Sequence, residues 1–248
     1  MDSIMRSIAT VFGVAFLLLP GCGHTLSWQN VPIGAGGFVT GIYADPNVSG
    51  LIYISTDVGG AYRWDSARSV WVPITDEIGL NHNSNHFGIE SLVVDPTSAP
   101  GVPGTVWIYT GTWNWYPAGI YKSTDAGRTW VAKPISGLLA DANGEFSFKA
   151  RGEKLGVDPN NSNIMYLASL NLGLQKSVNG GDTWARVNAV PLGETHEGLS
   201  FVAFDRGGGT LGGATAIIYV GVFDRLSANG GVWKSVDAGA TWTQMAGG

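Results

Sequence analysis

Charge is scarce in this 248-residue sequence: 14 Lys and Arg and 19 Asp and Glu, together 13% of the chain. With a net charge of −5 and no basic cluster, the sequence lacks what binding to a nucleic acid backbone requires. A single cysteine, Cys22, leaves no disulfide within the chain, so the fold must be held by packing. Long apolar runs are also missing, apart from Ile8 to Leu19, which is too short to span a bilayer comfortably. His82, His86 and His196 have no metal-ligand spacing and read as polar loop residues. No phosphate loop, Ser-His-Asp arrangement or Cys-His pair is present, and nothing calls for a metal or cofactor.

What the sequence has instead is 37 Gly, 10 Trp and 8 Tyr. Many glycines among many aromatics suit an all-β protein with frequent tight turns, and a neutral partner such as sugar. Arg6 followed by the Ile8–Leu19 run reads as an export signal, so residues 1–22 are assigned to a signal peptide. Two readings stand for Cys22: a lipidated N-terminus that holds the protein at a membrane, or a residue removed with the leader in ordinary secretion.

Repeats set the architecture. Ser123 to Trp130 (STDAGRTW), Ser177 to Trp184 (SVNGGDTW) and Ser235 to Trp242 (SVDAGATW) are one motif, the Asp-box. It reads as a hairpin turn in which Asp or Asn bonds backbone amides, Gly takes a positive φ and Trp packs over the turn. Asn179 stands where the others have Asp, and an amide can replace a carboxylate as acceptor but not as an acid or base. Asp125 and Asp237 are therefore structural. Around each box lie an apolar strand ending in Asp-Pro or a relative (Asp45, Asp95, Asp158, Asp205), a strand carrying Tyr (Tyr53, Tyr109, Tyr166, Tyr219) and a strand of the Gly-x-aromatic-Lys-Ser type. Four short antiparallel strands recurring about every 50 to 65 residues make a β-propeller blade. About four blades are present across residues 27–248.

The same frame fits the first repeat, where Gly60 to Trp64 begins strand three and Trp71 takes the place of the box Trp. The box of that blade is then the degenerate stretch from Trp64 to Trp71, and Asp57 falls in the loop between strands two and three. Strand direction alternates, so loops between strands two and three share one face with the interblade links, Asp76 to Phe87 and Gly137 to Lys149 among them. That face receives Asp57, Trp113, Trp115 and Tyr116, the Leu170–Leu172 loop and Phe223 to Arg225. Trp28 to Ile33 resembles a fourth strand with no blade of its own in this chain, so the sequence is expected to be a fragment of a longer propeller.

Thr56 to Asp65 (TDVGGAYRWD), Thr75 to Gly79, Gly88 to Pro96, Thr110 to Thr112, and Arg151 to Asn160 resemble the start of the xyloglucan-cleaving enzymes of glycoside hydrolase family 74. The resemblance implies two tandem seven-bladed propellers with the glucan in the cleft between them, and endo-type inverting hydrolysis of a β-1,4-glucan backbone. It places the general-base role on Asp57, with the acid partner in the second propeller, outside this chain, so the fragment alone is expected to be inactive. The partner is then a polysaccharide, xyloglucan or a related β-glucan.

Trp113, Trp115 and Tyr116, in a long loop of blade two, are candidates for stacking on pyranose rings, with Phe146 and Asn171 as further substrate contacts. The alternative for the aromatics is that they fold back over the blade; for Asp57 it is a loop-capping carboxylate ahead of Gly59 and Gly60. Glu90 and Glu153 are expected to be structural, pairing with neighbours such as Arg151. Related enzymes commonly carry Arg-His-Asp-Gly-Leu-Trp where this chain has Leu170 to Gln175 (LNLGLQ), which alters the substrate side of blade three and leaves room for another β-glucan. A non-catalytic propeller, secreted or lipid-anchored, that binds glycans or proteins is the rival reading; a second-propeller Asp distinguishes the two.

Overall fold

Runs of β-branched and aromatic residues, each closed by a glycine or an Asp-Pro step, are too short for helices and pair as consecutive hairpins. The computed structural model describes residues 32–34, 37–81, 84–113, 116–133, 135–140, 152–193, 198–224 and 227–246. They form four antiparallel sheets of four strands. Blade one is β1 (Val39–Ala44), β2 (Ile52–Thr56), β3 (Ala61–Asp65) and β4 (Val70–Pro73). Blade two is β5 (Ile89–Val94), β6 (Val106–Thr110), β7 (Gly119–Ser123) and β8 (Val131–Ala132). Blade three is β9 (Leu155–Asp158), β10 (Asn161–Ala168), β11 (Leu174–Ser177) and β12 (Ala185–Arg186). In blade four, a small hairpin of β14 (Thr210–Leu211) and β15 (Ala214–Thr215) follows β13 (Leu199–Phe204). Blade four is completed by β16 (Ile218–Val222), β17 (Gly231–Ser235) and β18 (Thr243–Gln244). The first strands adjoin in series, β1 beside β5, β5 beside β9 and β9 beside β13, as the innermost strands of neighbouring blades should.

Apolar packing lies between blades. Tyr53 and Ala61 meet Leu92 and Val106; Trp107 and Tyr109 meet Leu155 and Met165; Tyr166 and Leu174 meet Val202 and Trp242. Each Ser-x-[Asp/Asn]-x-Gly-x-Thr-Trp turn is held by its own side chains. Asp125 accepts hydrogen bonds from Ser123 Oγ (2.7 Å), Arg128 N (3.0 Å), Thr129 N (2.9 Å) and Thr129 Oγ1 (2.6 Å). Asn179 reproduces the pattern with an amide, accepting from Thr183 N and donating to Thr183 Oγ1, both at 2.9 Å. Gly127, Gly181 and Gly239 have φ near +80°, and each sets its bare Cα against the preceding blade: Ile74, Trp107 and Tyr166 in turn. The residue before each is also left-handed, although in two turns it is alanine (Ala126, φ 60°, and Ala238, φ 56°). The degenerate turn of blade one keeps the hairpin, with Trp64 paired to Trp71 and Arg68 N bonded to Asp65 Oδ1.

Two features depart from expectation. The link from blade one to blade two contains helix α1 (Asp76–Asn81) and a 3-10 turn, Ser84–Phe87. In that turn His86 is buried, its Nδ1 2.7 Å from Thr110 Oγ1 and its ring edge-on to Tyr121, so it packs the junction between these elements and is not a polar loop residue. Trp28, Cys22, His82 and His196 lie outside the described residues.

Candidate active site on the loop face

The loop carrying Asp57 is a short turn built by its neighbours. Thr56 N and Thr56 Oγ1 both donate to Gly60 O (3.0 and 2.8 Å), and Gly59 N donates to Thr56 Oγ1 (2.9 Å). Tyr62 O–H reaches back to Gly59 O at 2.6 Å; burial, and then the charge of Asp76, push this phenol up and keep it a donor. Gly60 needs both its left-handed φ of +87° and its missing side chain, because Thr75 Oγ1 occupies the space and accepts Ala61 N–H at 2.9 Å.

Blade three contains the same turn. Ser169 N and Oγ donate to Gly173 O, and Leu172 N donates to Ser169 Oγ, so Ser169 and Gly173 stand for Thr56 and Gly60. The counterpart of Asp57 is therefore Leu170, a buried apolar residue. The hydroxyl makes the turn, and the residue after it is free to be aliphatic. This argues against Asp57 as a loop cap. Asp57 is only 8% exposed, and its Oδ1 accepts Phe38 N–H at 2.9 Å.

Backbone bonds join this loop to the aromatic loop of blade two. Gly60 N–H donates to Phe87 O (2.7 Å), Gly111 N–H to Gly88 O (2.8 Å), and Gly88 N–H to Thr112 Oγ1 (3.0 Å). One interblade peptide thus holds the Asp57 turn on one side and the start of the Trp113–Tyr116 loop on the other. Tyr116 is half exposed and Trp113 partly buried in that loop, whose return is fixed by Ala118 N–H to Leu138 O. Trp115 and Phe146 lie outside the described residues. Asn171 plays an architectural part. Its Oδ1 accepts Leu139 N–H (3.2 Å) and its Nδ2 donates to Gly137 O (2.7 Å), clamping the link that enters blade three.

Sequence reasoning missed the partners of the two glutamates. Glu90 Oε2 pairs with Lys154 Nζ at 3.0 Å, with side-chain exposures of 0% and 3%. The register of β5 against β6 shifts between Ile89 and Ser91, so Glu90 lies at a bulge. Glu153 accepts from Tyr43 O–H (2.6 Å) and Ser91 O–H (2.7 Å), joining the inner strands of blades one, two and three. Burial, and then the charge of Glu153, push the Tyr43 phenol far up, so it serves as donor. Arg151, the expected partner, lies outside the described residues. Among the described residues no cluster of His, Cys, Asp and Glu could hold a metal ion.

Four-stranded blades with their first strands side by side, and one loop face carrying a carboxylate beside an aromatic loop, define a propeller-type repeat protein. No family model matches the chain. A xyloglucanase from a Paenibacillus species is 37% identical over 235 residues, 89% of this chain and 22% of that protein. Among solved structures, a glycoside hydrolase family 74 enzyme from Niastella koreensis superposes with a TM-score of 0.73 at 38% identity, covering 87% of this chain and 30% of that one. A family 74 xyloglucanase from Xanthomonas campestris gives a TM-score of 0.72 at 34% identity, over 90% of this chain and 32% of that one. The chain is thus homologous, over most of its length, to a segment of the family 74 xyloglucanases, and spans less than a third of their length.

Proposed function

We propose that this chain supplies the general-base half of the active site of an inverting glycoside hydrolase that cleaves the β-1,4-glucan backbone of xyloglucan. The observation that carries the proposal is the turn shared by blades one and three, in which Asp57 stands where the same scaffold accepts Leu170. A nearly buried carboxylate at a position the fold does not require is a candidate for chemistry. In this reading Asp57 takes a proton from a water that attacks the anomeric carbon. A second carboxyl, outside this chain and about 6.5–9.5 Å away, protonates the departing glycosidic oxygen. The C1–O bond to the leaving sugar breaks as the C1–O bond to water forms on the opposite face, and the configuration inverts.

Trp113 and Tyr116, with Trp115 and Phe146, would offer apolar ring faces for sugar stacking along the same face. The remaining blades of a seven-bladed propeller, a second propeller bearing the acid, and export directed by residues 1–22 complete the proposal. The test is Asp57→Ala in the full-length protein, with reducing ends released from xyloglucan as the readout. Turnover should fall by at least about 10³-fold with the melting temperature unchanged within about 2–3 °C. Azide, a small nucleophile that needs no base, should restore cleavage and give an inverted glycosyl azide. Wild-type turnover in the variant would refute the assignment.

A further inference from the structure

We propose that the Gly37–Phe38 peptide is a positioning element for the Asp57 carboxylate, an inference that rests on the reading of Asp57 as the base. Residue 57 is held at two points by one residue across from it. Phe38 N–H donates to Asp57 Oδ1 at 2.9 Å, and Asp57 N–H donates to Phe38 O at 3.2 Å. Main chain and side chain are therefore both referred to Phe38, just before β1 begins at Val39.

Gly37 lets that peptide come close enough. Its φ is +90°, and a Cβ there would overlap Asp57 Oδ1 and stand 3.2 Å from Val58 Cγ2. The left-handed backbone alone does not explain this glycine. Gly34 and Gly50 share a φ of +77°, yet a Cβ at either meets nothing within 4 Å. At residue 37 the space is taken by the carboxylate itself.

A base must present its lone pair to the attacking water within a few tenths of an ångström, because the water cannot follow a carboxylate that has turned. Fixing Oδ1 on a backbone N–H restricts the rotation of the carboxylate. Gly37 and Phe38 act through Asp57 and are positioning residues.

The experiment uses the full-length protein and compares Gly37→Ala with Gly50→Ala and Asp57→Ala on xyloglucan. Both glycine variants force alanine into a left-handed backbone, and Gly37→Ala should lose the more thermal stability because its Cβ also meets Asp57 and Val58. Only Gly37→Ala pushes on the carboxylate. It should lower kcat at least tenfold with KM within twofold of wild type, whereas Gly50→Ala should leave both within twofold. Gly37→Asn carries the same Cβ on a residue that tolerates positive φ, and gives the same comparison if the alanine variant does not fold.

If Asp57→Ala abolishes turnover but Gly37→Ala and Gly37→Asn keep kcat within twofold, the positioning role is overturned and the base assignment stands. A rise in KM that accounts for the whole loss also overturns it. If Asp57→Ala stays active, the base assignment itself falls and takes this inference with it.

Discussion

Removing Lys154 alone should cost more than removing Lys154 and Glu90 together. The two charges are 3.0 Å apart, with 3% and 0% of their side chains exposed, one just before β9 of blade three and the other in β5 of blade two. At an effective dielectric of about 20, that separation corresponds to roughly 5 kcal/mol of attraction, set against a desolvation cost of several kcal/mol per ion. The pair is then close to neutral as a whole and costly to halve. Lys154→Met takes the ammonium away from an enclosed carboxylate group and should destabilise by about 3–5 kcal/mol. For a domain of this size that is a fall in Tm of roughly 6–20 °C. Glu90→Leu combined with Lys154→Met fills the same space with apolar groups and should recover at least about 2 kcal/mol of that loss. The assay is urea denaturation of the wild type, both single variants and the double variant, followed by circular dichroism, with the coupling energy taken from the cycle. A coupling within about 0.5 kcal/mol of zero would refute the reasoning, because independent sites add to that precision.

Two further outcomes are expected, both in the turns. Gly180→Ala should cost no more than about 1 kcal/mol, since Ala126 and Ala238 already hold that left-handed position in the sister turns. Gly181→Ala should cost at least about 2 kcal/mol, its Cβ falling 2.7 Å from Trp107 Cη2, and equal losses in thermal melts would contradict this expectation. The second outcome concerns acid. Burial acts to raise the Asp125 carboxyl, but hydrogen bonds from Thr129, Ser123 and Arg128 outweigh it and hold it at about 2; bonds from Thr241 and Ser235 hold Asp237 there as well. Folded values below the unfolded value of about 3.9 mean stability that is present above about pH 4 and lost as pH falls towards about 2. Asp125→Asn with Asp237→Asn, which copies the blade-three turn, should flatten the stability curve across that window, and an unchanged slope would count against it.

What could be read from the sequence was what repeats. The blade frame, the hairpin at Trp64–Trp71 and the loop position of Asp57 follow from periodic spacing, because a hairpin is closed by residues a few positions apart. What escaped was what joins one repeat to the next. Lys154 finds Glu90 across 64 residues, and no spacing within a blade announces a bond between blades. The bonds of the exposed Asn171 to Gly137 and Leu139 go to backbone positions that only the junction brings near, and they leave its expected contact with substrate untouched. His86 reads in the sequence as a polar loop residue, yet the 3-10 turn buries it on Thr110 and Tyr121. The short helix before it lacks a long apolar period and carries little signal of its own.

The two hydroxyl-centred turns explain how one blade can differ from another at no cost to the fold. In each, a hydroxyl (Thr56 or Ser169) accepts an amide proton three residues on and donates to the carbonyl of a left-handed glycine, and that exchange closes the loop. The next side chain takes no part in it. In blade three that side chain is the buried Leu170, whose backbone Gly198 approaches so closely that an added Cβ would collide with it. In blade one it is Asp57, which accepts a hydrogen bond from Phe38, ahead of the first strand. A carboxylate supported from outside its own turn can be lost, moved or repositioned without opening the hairpin. A change at Gly37 or Phe38 therefore reaches the chemistry proposed for this face before it reaches the blade, and stability and turnover should separate there more cleanly than anywhere in the Asp-box turns.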